Sequence, residues 1–209
     1  MSLSRREKQQ RTRSSLLQAA ASVFCEHGLE GASIDQVAEE AGFTKGAFYA
    51  NFKSKEELFL VMLDERFAQE LERIDRALAG TEAPLEEARA AAADFIHFAG
   101  DADWPRLYFQ FAAHAARDEE FRQEFATRCN AMRDRVAKVF ERWTANLRFE
   151  LPLPLEQIAA MTHFMADGFL LDRLIDPELD EGLYATMLSV FFTGLAATAA
   201  GWTPAAPAT

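Results

Sequence analysis

Lys45, Tyr49, Asn51 and Lys53 bring four hydrogen-bond donors, two of them cationic, into one short stretch, and Ser33 and Thr44 add hydroxyls at two helix starts just before it. None of these groups is a nucleophile with a base beside it. The chemistry they offer is non-covalent: charge pairing and hydrogen bonding with an anion. Gly46 and Ala47 are small, so the backbone between the donors is open to close approach. Phe48 and Phe52, four apart, share the other face of the same helix and read as its buried seam. A short helix with aromatic rings inside and small, basic and hydroxyl groups outside has the shape that a DNA major groove accepts.

The flanking elements must hold that helix. Leu16, Leu17, Ala20, Val23 and Phe24 recur at helical spacing and predict a first helix that ends at Gly28. Ser33 with Gln36 forms a capping box for a second helix, whose inner face is Ile34, Val37, Ala38 and Ala41. Gly42 ends it and Thr44 caps the third. Ser54 with Glu57 reads as another capping box, opening a long helix over 54–78. Three helices joined by glycine turns are a helix-turn-helix unit. The same spacing also suits an ordinary three-helix corner with no ligand.

Behind this head, apolar spacing predicts further helices over 84–99, 103–116, 119–147, 155–175 and 180–200, separated by Gly100, Asp118, the Pro152–Pro154 loop and Pro177. The fold class is all-α. Residues 1–55 are expected to form an N-terminal three-helix helix-turn-helix domain, 56–201 a C-terminal helical bundle, and 202–209 a flexible tail. The last two helices carry more apolar surface than one face each. Either they are buried within the chain or they meet a second copy, with Gly168, Leu171, Ala185, Leu188, Ser189 and Phe192 at the interface. The aromatic and methionine content of the body likewise has two readings, core packing or an apolar cavity. The cavity walls would be Phe98, Trp104, Tyr108, Phe111, Met132, Met161, Phe164 and Met165. Its polar groups would be His97, His114, His163 and Asp167.

The 209 residues carry a net charge of −11, which argues against a general polyanion binder, but the charge is uneven. Residues 1–55 hold eight Lys and Arg against six acids, a balance of +2, which leaves −13 for the rest. Such asymmetry suggests that one end meets a polyanion. Arg5, Arg6, Lys8, Arg11 and Arg13 are either a solvated face or an arm touching phosphate or the minor groove. Cys25 and Cys129 make no disulfide framework and suit free thiols in a reducing cytoplasm. No apolar run follows the first residues, and no stretch is expected to reach the roughly 20 apolar residues that span a bilayer, so no membrane partner is expected. The four histidines lack metal-ligand spacing, and no phosphate loop or nucleophile set can be placed. No metal, cofactor or catalytic residue is expected, and the chain is not expected to be an enzyme.

Residues Ala41-Gly42, Gly46, Phe48-Tyr49, Phe52 and the run Lys53-Ser54-Lys55-Glu56-Glu57-Leu58 resemble the DNA-binding signature of the TetR family of bacterial transcriptional regulators. The match covers about the first quarter of the chain. Asn51 stands where the family usually has His. The resemblance implies a cytoplasmic homodimeric repressor that binds a pseudo-palindromic operator in double-stranded DNA and is released by a small apolar or aromatic effector. It implies that Ser33, Thr44, Lys45, Tyr49 and Lys53 face phosphates, that Gly46 and Ala47 approach base edges, and that Asn51 pairs with phosphate or an adenine edge. The other reading is a DNA-bound protein-interaction factor with no small-molecule ligand.

Overall fold

The computed structural model describes residues 4–78, 103–145 and 150–201. They form α1 (Arg5–Gly31), α2 (Ile34–Glu40), α3 (Lys45–Tyr49), α4 (Lys55–Leu78), α5 (Asp103–Ala115), α6 (Glu119–Thr144), α7 (Leu155–Ile175) and α8 (Gly182–Ala199), with no strand among them. The helix expected over 84–99, with His97 and Phe98, and the tail 202–209 lie outside the described residues.

Local capping explains most boundaries. Ser4 and Glu7 form a capping box at the start of α1. Ser33 and Gln36 form the expected box for α2, and the Thr44 hydroxyl accepts from the Ala47 N–H to open α3. Gly28 breaks α1 at φ 71°, a left-handed conformation that suits glycine. The chain then makes one more helical turn to Gly31 instead of the plain turn expected there. That break exposes backbone groups, and long side chains satisfy them. Gln110 accepts from the Leu29 N–H at 3.3 Å. The Lys55 ammonium donates to the Leu29 and Ala32 carbonyls at 2.7 and 2.6 Å. At α4 the expected box is only half formed. Ser54 Oγ accepts from the Glu57 N–H, but the Glu57 carboxylate accepts from the Lys53 N–H, not that of Ser54.

The contacts fall into two units, residues up to Phe67 with those from α5 through Arg128, and the remainder. In the first unit α1 packs against α2 and α5, and α2 against α3. Its core joins Leu16, Phe24, Val37, Phe48, Phe52, Leu58, Phe59, Leu63, Leu107 and Phe111. Phe59 stacks on Phe111, with ring centroids 3.5 Å apart, and Phe24, Phe121 and Phe125 surround the pair. In the second unit α7 packs on α8 around Ala166, Phe169, Tyr184 and Leu188.

One expectation about the second unit is corrected. α8 is 18 residues long and apolar enough, by length and composition, to cross a membrane. It carries no charged residue, and three of its hydroxyls fold back onto the helix: Thr186, Thr193 and Thr198 donate to the carbonyls four residues before them. Much of this helix is uncovered in the single chain.

Candidate nucleic-acid interface

The candidate surface is built from α2, α3 and the turns around them. Phe48 and Phe52 are fully buried, their rings 5.8 Å apart, and they fix α3 to the core from beneath. With that face committed, Lys45, Gly46, Tyr49 and Lys53 are left exposed, and Ala47 is half-buried. Tyr49 is 52% exposed and meets Phe48 edge-on at 5.7 Å, so its ring is propped while its hydroxyl reaches solvent. Ser33 and Thr44 are exposed at the starts of α2 and α3, each with its hydroxyl oxygen already accepting a backbone N–H. Each keeps its O–H proton for a second partner.

Contacts between segments change what several basic groups can do. Lys45 Nζ lies 2.9 Å from Asp35 Oδ2, and that carboxylate holds the ammonium above its usual pKa. Arg13 donates to the Asn51 carbonyl at 3.1 Å and lies 4.4 Å over the Phe52 ring. The Asn51 side chain closes α3: its Nδ2 donates to the Ala47 carbonyl at 2.8 Å, and its Oδ1 is buried without a partner. Asn51 therefore closes α3 with one of its two amide N–H groups and turns its Oδ1 inward. Sequence spacing did not expose the Lys45 and Arg13 contacts, because their partners lie 10 and 38 positions away along the chain.

The residues expected as cavity walls fall in both units. Trp104, Tyr108 and Phe111 belong to the first unit, where Trp104 stacks on Phe59, Tyr108 packs on Phe125, and Phe111 is fully buried. His114 sits beside Phe121 with its Nε2 buried and unpartnered. Met132, Met161, Phe164 and Met165 belong to the second unit. Met132 is buried and Met165 packs on the α7–α8 core, while Phe164 is 61% exposed beneath the Arg133 guanidinium and Met161 is exposed. His163 and Asp167 form a pair at 3.5 Å. Burial pushes the His163 pKa down, Asp167 opposes that shift, and Arg133 adds to it.

The expected interface residues divide by depth. Leu188 is buried against α7, and Ala185 and Phe192 pack on the same core. Gly168 and Leu171 are exposed on α7. Ser189 lines a shallow groove of about 370 Å³ with Val190, Thr193, Gly194 and Ala197. Val190, on the same groove, is 67% exposed.

Comparison with known proteins agrees with this geometry. Residues 16–62 match the model of the bacterial regulatory proteins of the tetR family. The transcriptional repressor AcnR of Corynebacterium efficiens is 26% identical over 88% of this chain and 92% of its own length. A TetR-family transcriptional regulator from Mesorhizobium loti superposes with a TM-score of 0.75 at 18% identity, over 94% of this chain and 98% of that one. The regulator FadR from Bacillus subtilis, solved in complex with stearoyl-CoA, superposes with a TM-score of 0.69 at 17% identity, over 91% and 99%.

Proposed function

This chain belongs to the TetR family of bacterial regulatory proteins, and from that premise we propose that it is a ligand-responsive repressor that binds a pseudo-palindromic operator as a homodimer. The observation that carries the reading is the division of α3 into a buried Phe48–Phe52 seam and an exposed Lys45, Gly46, Tyr49 and Lys53 surface. In this reading Tyr49, Lys53, Ser33 and Thr44 hold the phosphates and set register, and Gly46 and Ala47 approach the base edges. Residues 1–55 act as the DNA-binding part and 56–201 as the effector and dimerisation part. A bacterial operator places the protein in the cytoplasm, and none of these roles calls on enzymatic chemistry.

The uncovered apolar face of α8 supports the dimer. Val190 with the small groove residues Ser189, Thr193, Gly194 and Ala197 suits close approach of the same helix from a second copy. A two-fold dimer puts one recognition helix in each of two half-sites separated by about one helical turn or a multiple of it. The effector is a small apolar or aromatic molecule. It acts by binding better to the conformation whose recognition helices do not match the groove spacing. The helix α4 follows the recognition helix directly and is the natural element to transmit that change.

The deciding experiment selects the operator from random DNA and then screens compounds, acyl-CoA thioesters among them, for its release. Enrichment of a two-fold symmetric site bound by two chains is the expected result. Enrichment of an asymmetric site bound by one chain would sink the dimeric reading. The packing of Tyr108 and Phe111 against the rings of Phe59, Phe121 and Phe125 favours a second reading, a DNA-bound factor that answers to a protein partner. Failure of every compound to weaken operator binding would move the balance to it.

A further inference from the structure

Three of the eight Lys and Arg in residues 1–55 are engaged within the fold. Lys45 is held by Asp35, Lys55 by the Leu29 and Ala32 carbonyls, and Arg13 by the Asn51 carbonyl and the Phe52 ring. Four others, Arg5, Arg6, Lys8 and Arg11, lie at the start of α1. They are exposed and form no ion pair with a described residue. Glu7, the acid among them, has its carboxylate on the Ser4 N–H, and the Ser4 hydroxyl accepts from the Glu7 N–H. The feature is therefore a set of cations on the flank of a helix whose end is already capped.

Arg13 decides which of these cations look toward the recognition helix. It rests on the turn that closes α3, so its direction on α1 marks the side of α1 that faces that turn. α1 is continuous from Arg5 to Gly28. At 3.6 residues per turn, Arg6 lies two turns before Arg13, within about 20° of the same direction and about 10 Å farther along the axis. Arg5 is about 80° away, whereas Lys8 and Arg11 point about 140° and 160° away. Arg6, and Arg5 less closely, therefore share the side of α1 that Arg13 turns toward the end of α3, whereas Lys8 and Arg11 look elsewhere.

We propose that Arg5 and Arg6 form a second polyanion-binding site, pairing with phosphodiester oxygens of the DNA backbone beside the half-site that α3 reads. Lys8 and Arg11 take no part. The proposal rests on the reading of the chain as an operator-binding protein. Contacts of this kind carry no base information. They add affinity to every DNA sequence and make it more dependent on salt.

The test uses the full chain, the selected operator and an unrelated duplex, with affinities measured by fluorescence anisotropy over a range of KCl concentrations. Two variants remove the same charge: R5Q/R6Q and K8Q/R11Q. All four positions are exposed, and circular dichroism checks that both variants are as helical as the parent. R5Q/R6Q is expected to weaken both duplexes and to reduce the slope of log affinity against log salt by about two, close to 0.9 per phosphate lost. K8Q/R11Q is expected to keep the parent slope. Equal losses in the two variants, or an unchanged slope in R5Q/R6Q, overturn the proposal. A parent chain that shows no preference for any selected sequence overturns instead the operator reading on which it stands.

Discussion

The Lys45 ammonium is paired with the Asp35 carboxylate at 2.9 Å, which ties the first residue of α3 to α2. Both side chains are more than half exposed, so water and salt screen the pair and it adds little to the stability of the fold. Its consequence is for DNA. A phosphate that approaches α3 must compete with Asp35 for Lys45, and Asp35 itself repels the phosphate. Asp35→Asn is therefore expected to tighten operator binding several-fold and to steepen its salt dependence by about one phosphate equivalent. Anisotropy titrations at several salt concentrations measure both. Unchanged affinity would mean that Lys45 stays away from the backbone.

Tyr49 stands on a buried ring with its hydroxyl outward. Tyr49→Ala is expected to weaken binding to all sequences alike, as loss of a phosphate contact does. Ala47→Glu is expected nearly to abolish operator binding, since it sets a carboxylate where the helix meets the groove. Gel shifts with normal affinity for both variants would remove α3 from the interface.

Phe48 is expected to be structural. Truncation of a fully buried phenylalanine costs about 3–5 kcal/mol. Phe48→Ala should lower the unfolding free energy by that amount, read from the shift in denaturant midpoint, and lose DNA binding in parallel with folding. A variant that stays as stable as the parent but loses DNA binding would show that the ring touches DNA.

Lys55 is part of the sequence signature, yet its ammonium sits on the Leu29 and Ala32 carbonyls. Lys55→Met leaves those carbonyls without their cation and should cost about 2 kcal/mol of stability. The salt slope of DNA binding should stay as in the parent. A reduced slope with unchanged stability would reverse the assignment and make Lys55 a phosphate contact.

Burial holds the folded-state pKa of His163 below its ordinary value near 6.5. The unfolded chain then binds a proton more readily than the folded one, so acid favours unfolding. The stability that depends on neutral His163 is complete above about pH 6.5 and is lost as the pH falls through the depressed folded value. His163→Gln should flatten the pH dependence of unfolding on the acid side of neutrality relative to the parent. Parallel curves for the two proteins would show that His163 has the same pKa folded and unfolded.

Most of the described helices, and the caps at Ser33 and Thr44, were legible in the sequence because the interactions that set them are local. Ser33 and Gln36, Thr44 and Ala47, and the glycine at 28 act within a span of three or four residues. The aromatic seam of α3 followed in the same way from the spacing of Phe48 and Phe52, and with it the exposed surface that faces outward. Tertiary structure decided how the polar groups are used. Arg13 reaches Asn51 across 38 positions, Lys55 reaches Ala32 across 23, and Lys45 reaches Asp35 across 10. No periodicity records such partners, because a long flexible side chain can take any carbonyl or carboxylate that folding brings within its reach. For the same reason Tyr108 and Phe111 looked as suited to a cavity wall as to a core. Whether an aromatic ring meets space or another ring depends on which helices pack beside it.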